Sequence, residues 1–376
     1  MNQRKQFPEK IALALSGGGF RATLFHLGTL IRLNEIGLLP KLTSVSSISG
    51  GSITGCWLGY RWKNLDFDEN GVAKNLDSEI IAPLRQLCSQ DIDTLPTISN
   101  MLLMLFGLVS TALEAKYEAH LFGRATLLDL PSSDEGPDFI FLASNIQTNS
   151  RVWIYRDRLW DERLGLLKSP NLMLATAVAA SSGLPPFLSP TIVTTRSADW
   201  EPHETSDLFK EEKLRTRMIL CDGGIHDPSG VEPVFDTHDM ILVSDANVSK
   251  EVWRTPSTFW VRQTGRSTIL QTIANREVRR RLLERCSCLM EDGKIVWWAL
   301  TDEIGKLGID NALASDTEIT RLLGTLRTRL GPFTREEQGR LINWGYALCD
   351  ASLKKTGHID PTSSPVPSWP VNEFPL

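Results

Sequence analysis

Three apolar segments of the chain each run directly into a cluster of small residues, and this pattern constrains the fold. The segments are 11–15 before Ser16-Gly17-Gly18-Gly19, 42–45 before 46–51, and 218–221 before Asp222-Gly223-Gly224. Together with the apolar runs 139–143 and 240–244, they alternate with helical patterns at 22–36, 53–62 and 172–180. This alternation is typical of a largely parallel sheet covered by helices on both faces. Such sheets bind ligands beyond the carboxyl ends of their strands, so we expect the three clusters to share one crevice.

We predict that Ser49, in Ser47-Ile48-Ser49-Gly50-Gly51, is a nucleophile on a tight turn between a strand and a helix. The residues after such a serine must be small, so that the backbone turns sharply and its N–H groups stay exposed. The positive end of the following helix favours the anionic form of the hydroxyl. The motif resembles the G-x-S-x-G nucleophile elbow, with Ser47 in the place of the first glycine.

The glycine cluster Gly17-Gly18-Gly19 leaves several backbone N–H groups uncovered at the start of a predicted helix. Such a site binds anions. Beside an activated serine, the anion is the tetrahedral oxyanion of acyl transfer, and we expect the amide of Gly50 to contribute as well. Arg21 is predicted to support the oxyanion or to orient a phosphate.

Other interpretations of the glycine cluster stay open at this point. Gly17, Gly19 and Ala22 also fit the G-x-G-x-x-G/A dinucleotide motif, but the next strand ends in Ser46-Ser47, without the acidic residue that holds a ribose. The Gly-Lys-Ser/Thr of a nucleotide phosphate loop is absent. A purely structural turn is the third interpretation.

Asp222 is the predicted general base, a carboxylate at a strand end with two glycines behind it. An isolated Asp-Gly is more often a cap or turn. An aspartate with an ordinary pKa of about 4 is a weak base, and burial beside an apolar acyl pocket would raise that pKa toward the working range.

These residues together resemble the patatin-like phospholipases, which use a serine–aspartate dyad. Four blocks carry the resemblance: Ser16 to Arg21, Ser47 to Gly51, Ala180 to Phe187 and Asp222 to Pro233. The resemblance covers about two-thirds of the chain. It implies a three-layer α/β/α sandwich of the patatin type, with Ser49 as nucleophile, Asp222 as base and the amides around Gly18 and Gly19 as oxyanion hole. It also implies that neither a cofactor nor a metal takes part.

The rival serine enzyme is an α/β-hydrolase, which places several strands before its nucleophile and needs a histidine after its acid. Ser49 follows only the second predicted strand. His238 or His358 would complete a Ser…Asp…His order, but neither lies in a motif, and we predict surface or packing roles for both. His226 is expected near the site without acting as base.

The composition of the chain indicates which partners and which cellular compartment to expect. The formal net charge of −5 argues against nucleic acid as the main partner. The six cysteines show no pairing pattern, and the first residues lack the features of a secretory signal. We therefore expect a cytoplasmic protein, with transient peripheral contact with membranes.

Three regions are predicted along the chain. A catalytic core at 10–245 includes a helical insertion at 98–125, whose apolar run 98–115 is interpreted as a core helix, a lid over the acyl site or a membrane-spanning helix. A mainly helical extension at 246–360 follows, with helices at 272–286, 316–330 and 336–353. In 272–286 the arginines favour a solvated, ion-paired face over contact with anionic headgroups. A proline-rich tail at 361–376 is predicted to be irregular, held by Trp369 and Phe374.

The predicted function is hydrolysis of fatty-acyl esters of phospholipids or lysophospholipids through an acyl-Ser49 intermediate. Two alternatives remain. One is a lipid-binding or regulatory protein of the same fold with little or no hydrolysis, and the other is a transacylase that uses the same dyad.

Overall fold

A computed structural model describes residues 7–92, 109–185, 188–246, 248, 254–255, 258–289, 294–359 and 364–376. Within these ranges the chain forms one mixed sheet with helices on both faces. The strands are β1 (Ile11–Leu15), β2 (Leu42–Ser47), β3 (Asp138–Asn145), β4 (Ser150–Ile154), β5 (Arg158–Asp161), β6 (Gly165–Lys168), β7 (Thr191–Thr194), β8 (Trp200–Glu201), β9 (Arg217–Asp222), β10 (Met240–Asp245) and β11 (Ile295–Ala299). The helices are α1 (Gly19–Glu35), α2 (Gly50–Arg61), α3 (Ala82–Leu87), α4 (Val109–Tyr117), α5 (Leu174–Ser182), α6 (Glu212–Thr216), α7 (Glu232–Phe235), α8 (Trp260–Leu289), α9 (Glu318–Leu323) and α10 (Arg335–Lys355).

The parallel part of the sheet has the strand order β11-β10-β1-β2-β3. Its central strand, β1, is buried along its whole length, as expected for a strand covered on both faces. This part confirms the predicted architecture, because β1, β2, β3 and β10 contain the apolar runs read from the sequence.

The antiparallel part extends from β3 through β4, β5 and β6 to β8. The sequence did not predict β4, β5, β6 and β8, which have two to five residues and mix polar with apolar side chains. The predicted run at 218–221 lies in β9, which pairs with β3 in antiparallel orientation. The sheet is therefore mixed, with its parallel strands on one side of β3.

The predicted insertion at 98–125 lies partly outside the described residues, which resume at 109. From there α4 and the turn after it pack into the core, where Leu113, Tyr117 and Phe122 are buried. The Tyr117 hydroxyl lies 3.2 Å from Ser182 Oγ of α5. Whether 98–108 forms a lid stays a prediction. No helix among the described residues is long and apolar enough to cross a membrane.

The predicted extension from residue 246 is mainly helical, but it also adds β11 to the edge of the parallel sheet beside β10. The helix predicted at 316–330 is shorter, since α9 ends at Leu323 before Gly324. The loop that follows turns back toward the start of α1, where Arg329 O accepts a hydrogen bond from the N–H of Phe20. The regions on either side of residue 245 thus share one sheet, and the domain boundary itself stays a prediction.

Helices α1 and α10 cross closely where each has a glycine. A Cβ atom added at Gly28 of α1 would overlap with the carbonyl oxygen of Ile342, and one added at Gly345 of α10 would overlap with the carbonyl oxygen of Phe25. The tail, which has neither helix nor strand over 364–376, is fastened to α10 by Asn343, whose Nδ2 donates to the carbonyl oxygens of Val371 and Phe374. The C-terminal helix is therefore part of the fold of the core.

We expect Gly28→Ala and Gly345→Ala to lower the free energy of unfolding by ~1–3 kcal/mol or more each, because overpacking forces two helices apart. Urea unfolding followed by circular dichroism measures the change. Gly331→Ala is the matched control, since a Cβ there meets no atom within 4 Å. Equal stability of all three variants would contradict the close crossing.

Candidate active site

Ser49 lies on a strained turn between β2 and α2. Its backbone has φ 53° and ψ −121°, a conformation that a residue with a side chain rarely adopts and that costs ~1–3 kcal/mol. The surrounding structure holds it in place. The N–H of Ser49 donates to Ser181 Oγ at 3.1 Å, and Ser181 Oγ lies 2.7 Å from Ser52 Oγ. Strain of this kind, fixed by neighbouring hydrogen bonds, is typical of functional sites.

Ser47 fits the position where the elbow motif has glycine. Its buried hydroxyl donates to the carbonyl oxygen of Ile140 on β3, at 3.2 Å. Gly55 on α2 leaves the necessary room, since a Cβ there would lie 2.9 Å from Ser47 Oγ. The departure from the motif is therefore compensated by a cross-strand hydrogen bond and a glycine on the helix.

The glycine cluster lies beside Ser49. A Cβ added at Gly17 would be 3.1 Å from Ser49 Cβ and 3.7 Å from Ser49 Oγ. Gly19 has φ 59°, and a Cβ there would be 2.6 Å from Arg329 O, so only glycine fits. Gly50 packs directly on Gly19, where an added Cβ would overlap with the Gly19 carbonyl oxygen.

Free backbone donors remain at this point of the site. Within the described parts of the chain, the N–H groups of Gly17, Gly18, Gly19 and Gly50 donate no hydrogen bond. Gly17, Gly18 and Gly19 line a cavity that is also lined by Ser49, whereas Gly50 does not line it. Backbone N–H groups without a partner at the start of a helix can bind an anion.

Arg21 lines the same cavity, but its guanidinium is hydrogen-bonded to other residues of the protein. Its Nη1 donates to Leu326 O at 2.8 Å and to Thr328 Oγ1 at 2.7 Å, and its Nη2 donates to Ala246 O at 2.9 Å. Burial and the charge of Arg276 lower the pKa of Arg21 to about 9. Arg21 thus ties the glycine cluster to the C-terminal region, and its predicted support of an oxyanion or phosphate stays a prediction.

Asp222 ends β9 and is buried beside Ser49. Its Oδ1 accepts a hydrogen bond from the N–H of Gly224 at 2.7 Å. Burial raises the pKa of Asp222 to about 6, while the hydrogen bonds from Gly224 and from the Ser49 hydroxyl, and the charge of Arg276, act in the opposite direction. The structure therefore brings the predicted nucleophile and base together, and it gives the base a pKa near neutral pH.

Ser49 and Asp222 line a cavity of ≈ 380 Å³ with mostly apolar walls. Its walls include Leu184, Leu188, Ile225, Ile273 and Leu330. Helix α8 covers one side and places Arg276 in the wall. The sequence pattern predicted that Arg276 lies on a solvated face of its helix. In the structure Arg276 is only 9% exposed, and its Nε lies 3.6 Å from Asp245 Oδ1.

None of the histidines in the described ranges lines this cavity. His238 Nε2 lies 2.9 Å from Ser44 Oγ, and buried His358 stacks on Phe7. His226, near Asp222 in sequence, lies 2.8 Å from Ser144 Oγ through its Nδ1. Over the same ranges, no group of three or more His, Cys, Asp or Glu side chains could hold a metal ion. The polar groups of the candidate site are thus the Ser49 hydroxyl, the Asp222 carboxylate and the free N–H groups of the glycine cluster.

The sequence model for patatin-like phospholipases matches residues 13–235, more than half of the chain. The chain belongs to the patatin-like phospholipase family. All four sequence blocks named above lie within this match, which confirms the resemblance, although Pro186 and Phe187 fall outside the described residues. Among curated proteins, none matches the sequence significantly.

Solved structures include patatin-like folds similar to this one. Human GIVD cytosolic phospholipase A2 has a TM-score of 0.54 at 14% identity, over 93% of this chain and 61% of that one. VipD from Legionella pneumophila has a TM-score of 0.41 at 16% identity, over 93% of this chain and 67% of that one. At such identity the human structure supports the fold alone, and this chain spans 61% of its length.

Two residues of the patatin-like site had no role in the sequence analysis. Ser181 holds the nucleophile turn, and its signal was its place in the block that starts at Ala180. Arg276 gave no such signal, because only the packing of α8 over the sheet brings it to the cavity.

Replacing the buried carboxylate of Asp222 should stabilise the fold at neutral pH. The folded pKa of Asp222 is raised from 3.8 to about 6, so the folded state binds the proton more tightly and stability falls as pH rises through this window. Asp222→Asn removes that penalty, so we expect it to raise the free energy of unfolding by up to ~3 kcal/mol at pH 8 and by far less at pH 4. Urea unfolding at the two pH values measures this, and a variant less stable than wild type at pH 8 would contradict the burial of an ionised base.

Proposed function

We propose that the chain is a lipid acyl hydrolase that cleaves fatty-acyl esters of phospholipids or lysophospholipids through a covalent acyl-Ser49 intermediate. One observation carries the proposal: the hydroxyl of Ser49, on its strained turn, interacts with the buried Asp222 carboxylate in an apolar cavity. Membership of the patatin-like phospholipase family supports a lipid ester as the substrate.

In the first half of the reaction, Asp222 accepts the proton of Ser49 as Oγ attacks the ester carbonyl carbon. A C–O bond forms and the carbonyl oxygen becomes an oxyanion. When the tetrahedral intermediate collapses, the bond to the leaving alcohol breaks, and the protonated Asp222 returns its proton to the alkoxide. The products are a free alcohol or lysolipid and acyl-Ser49.

In the second half, water replaces the serine as nucleophile. Asp222 accepts a proton from the water as its oxygen attacks the acyl carbon. Collapse releases the fatty acid and returns the proton to Ser49 Oγ. The same carboxylate, Asp222, therefore acts in both halves of the reaction. A general base works best when its pKa lies close to the working pH, and burial raises the pKa of Asp222 to about 6.

The free N–H groups of Gly17, Gly18, Gly19 and Gly50 are the proposed oxyanion donors. Donors fixed before the reaction need no reorganisation when the charge develops, and loss of one costs ~10²–10³ in rate. Gly50 follows Ser49 directly and packs on Gly19, so its N–H is proposed as a donor although Gly50 does not line the cavity. The apolar walls would take up the acyl chain.

Ser49→Ala should lower fatty-acid release from phosphatidylcholine and lysophosphatidylcholine by at least ~10³-fold, since no acyl-enzyme can form. Mass spectrometry of the products measures the release. A fluorophosphonate should label wild-type protein and the control Ser78→Ala, a substitution of an exposed serine, but not Ser49→Ala. Lipid binding without labelling or release would favour a binding protein, and acyl transfer to an added alcohol would favour a transacylase.

The pH dependence of hydrolysis should follow the ionisation of the Asp222 carboxylate. We expect kcat/KM on a soluble ester to rise with pH and level off above about 6, since only the ionised carboxylate acts as base. The charge of Arg276 lowers the pKa of Asp222, so Arg276→Gln should move the acid limb to higher pH. Arg279→Gln, one turn further along α8, is the control that should leave it in place. A profile identical in all three proteins would contradict the assigned base.

A further inference from the structure

Helix α8 carries a concentration of positive charge in an acidic protein. Its 30 residues include seven arginines and two glutamates, which gives a formal charge of +5, whereas the whole chain has −5. One face of the helix covers the cavity through Gly265, Thr268, Thr272 and Arg276. The helix is therefore both the roof of the site and its most basic element.

The opposite face of α8 is exposed and carries three large aliphatic side chains. Leu270, Val278 and Leu282 are 51%, 48% and 56% exposed. Arg281 and Arg285 lie on the same face of the helix, so that the five residues span 270–285. We call these five residues the outer stripe. A surface helix of a globular protein normally has polar residues on the face away from the core. Large aliphatic side chains beside arginines are instead typical of helices that lie in a membrane interface.

Five of the seven arginines of α8 fall into two groups by their partners. Arg276, Arg279 and Arg280 point to carboxylates of the protein, with Arg280 bound to Asp302 at 2.7 Å. In the outer stripe, Arg281 donates only to the backbone carbonyl of Glu277, and over the described parts of the chain neither Arg281 nor Arg285 has a carboxylate partner. The exposed charges are thus available to an external anion.

We propose that the outer stripe of α8 docks on an anionic phospholipid surface. The proposal builds on the function proposed above, because that surface would hold the substrate. Arginines near an anionic bilayer each contribute attraction, and the aliphatic side chains would enter the boundary between headgroups and acyl chains. Since the same helix roofs the cavity, docking places the site within one helix diameter of the lipid, ~10 Å.

Charge favours a lipid surface over a second copy of the chain. A symmetric dimer through the outer stripe would place α8 against α8 and bring Arg281 and Arg285 of one copy close to the same arginines of the other copy. An anionic bilayer instead complements the charge of the helix. On such a bilayer the arginines of the stripe contact anionic headgroups while its aliphatic residues contact acyl chains.

The test measures vesicle binding without hydrolysis, in the full chain carrying Ser49→Ala. Co-sedimentation is compared for phosphatidylcholine vesicles with and without phosphatidylglycerol. We expect binding to the anionic vesicles only, weakened ~30-fold by Arg281→Glu with Arg285→Glu. Leu270→Asn with Val278→Asn should weaken it ~10-fold or more. Arg124→Glu with Leu128→Asn, exposed residues that do not line the cavity, is the matched control and should leave binding unchanged.

Hydrolysis of a soluble ester by the stripe variants with Ser49 intact separates the two proposals. It should match wild type, because no stripe residue lines the cavity. Docking is overturned if wild-type protein does not bind anionic vesicles, if the stripe variants bind as well as wild type or better, or if sedimentation velocity shows a dimer that the substitutions dissociate. Loss of docking would leave the Ser49 hydrolysis intact, and failure of Ser49 as nucleophile would leave the binding result intact.

Discussion

The site depends on how one edge of β3 is shared. Residues 138–141 of β3 pair with β2 in parallel, and 143–145 pair with β9 in antiparallel orientation. Because β4 occupies the other edge, β2 and β9 lie end to end along the same edge, with their carboxyl ends facing each other. Ser47 pairs with Phe141 and Asp222 with Ala143, so the two chain ends meet two residues apart on β3, ~7 Å. The reversal of β9 is what brings a carboxylate to the nucleophile turn.

This meeting point is unfavourable by itself, since it joins a strained serine to a buried carboxylate. The supports come from distant parts of the chain. Ser181 of α5 accepts from the Ser49 N–H, while Arg329 O accepts from Phe20 and fixes the start of α1 behind the glycines. Arg21 adds three bonds to the same C-terminal region. The residues after 245 therefore belong to the structure of the site, although the sequence motifs all precede them.

The sequence predicted what is encoded locally. Ser49, Asp222 and the glycine cluster were predicted as site residues because a strand end followed by small residues is visible in a few neighbouring positions. Four of the five strands of the parallel part were predicted because each contains a short apolar run. The antiparallel hairpins were missed because their short strands are half polar, and β11 because its place depends on β10. The direction of β9, like the position of Arg276, is set by pairing and packing between segments far apart in the chain, which a local pattern does not show.

Helix α8 has two opposing effects on the pKa of Asp222, the proposed base. Covering the cavity removes Asp222 from water, which raises its pKa and would by itself leave much of it protonated. The same helix brings Arg276 into the wall, and its charge lowers that pKa. Asp245, 3.6 Å from Arg276 Nε, holds the guanidinium against the sheet. Without the charge of Arg276, the same helix would still exclude water, but less of the Asp222 carboxylate would be ionised. Exclusion of water and ionisation of the proposed base are thus compatible because one helix contributes to both.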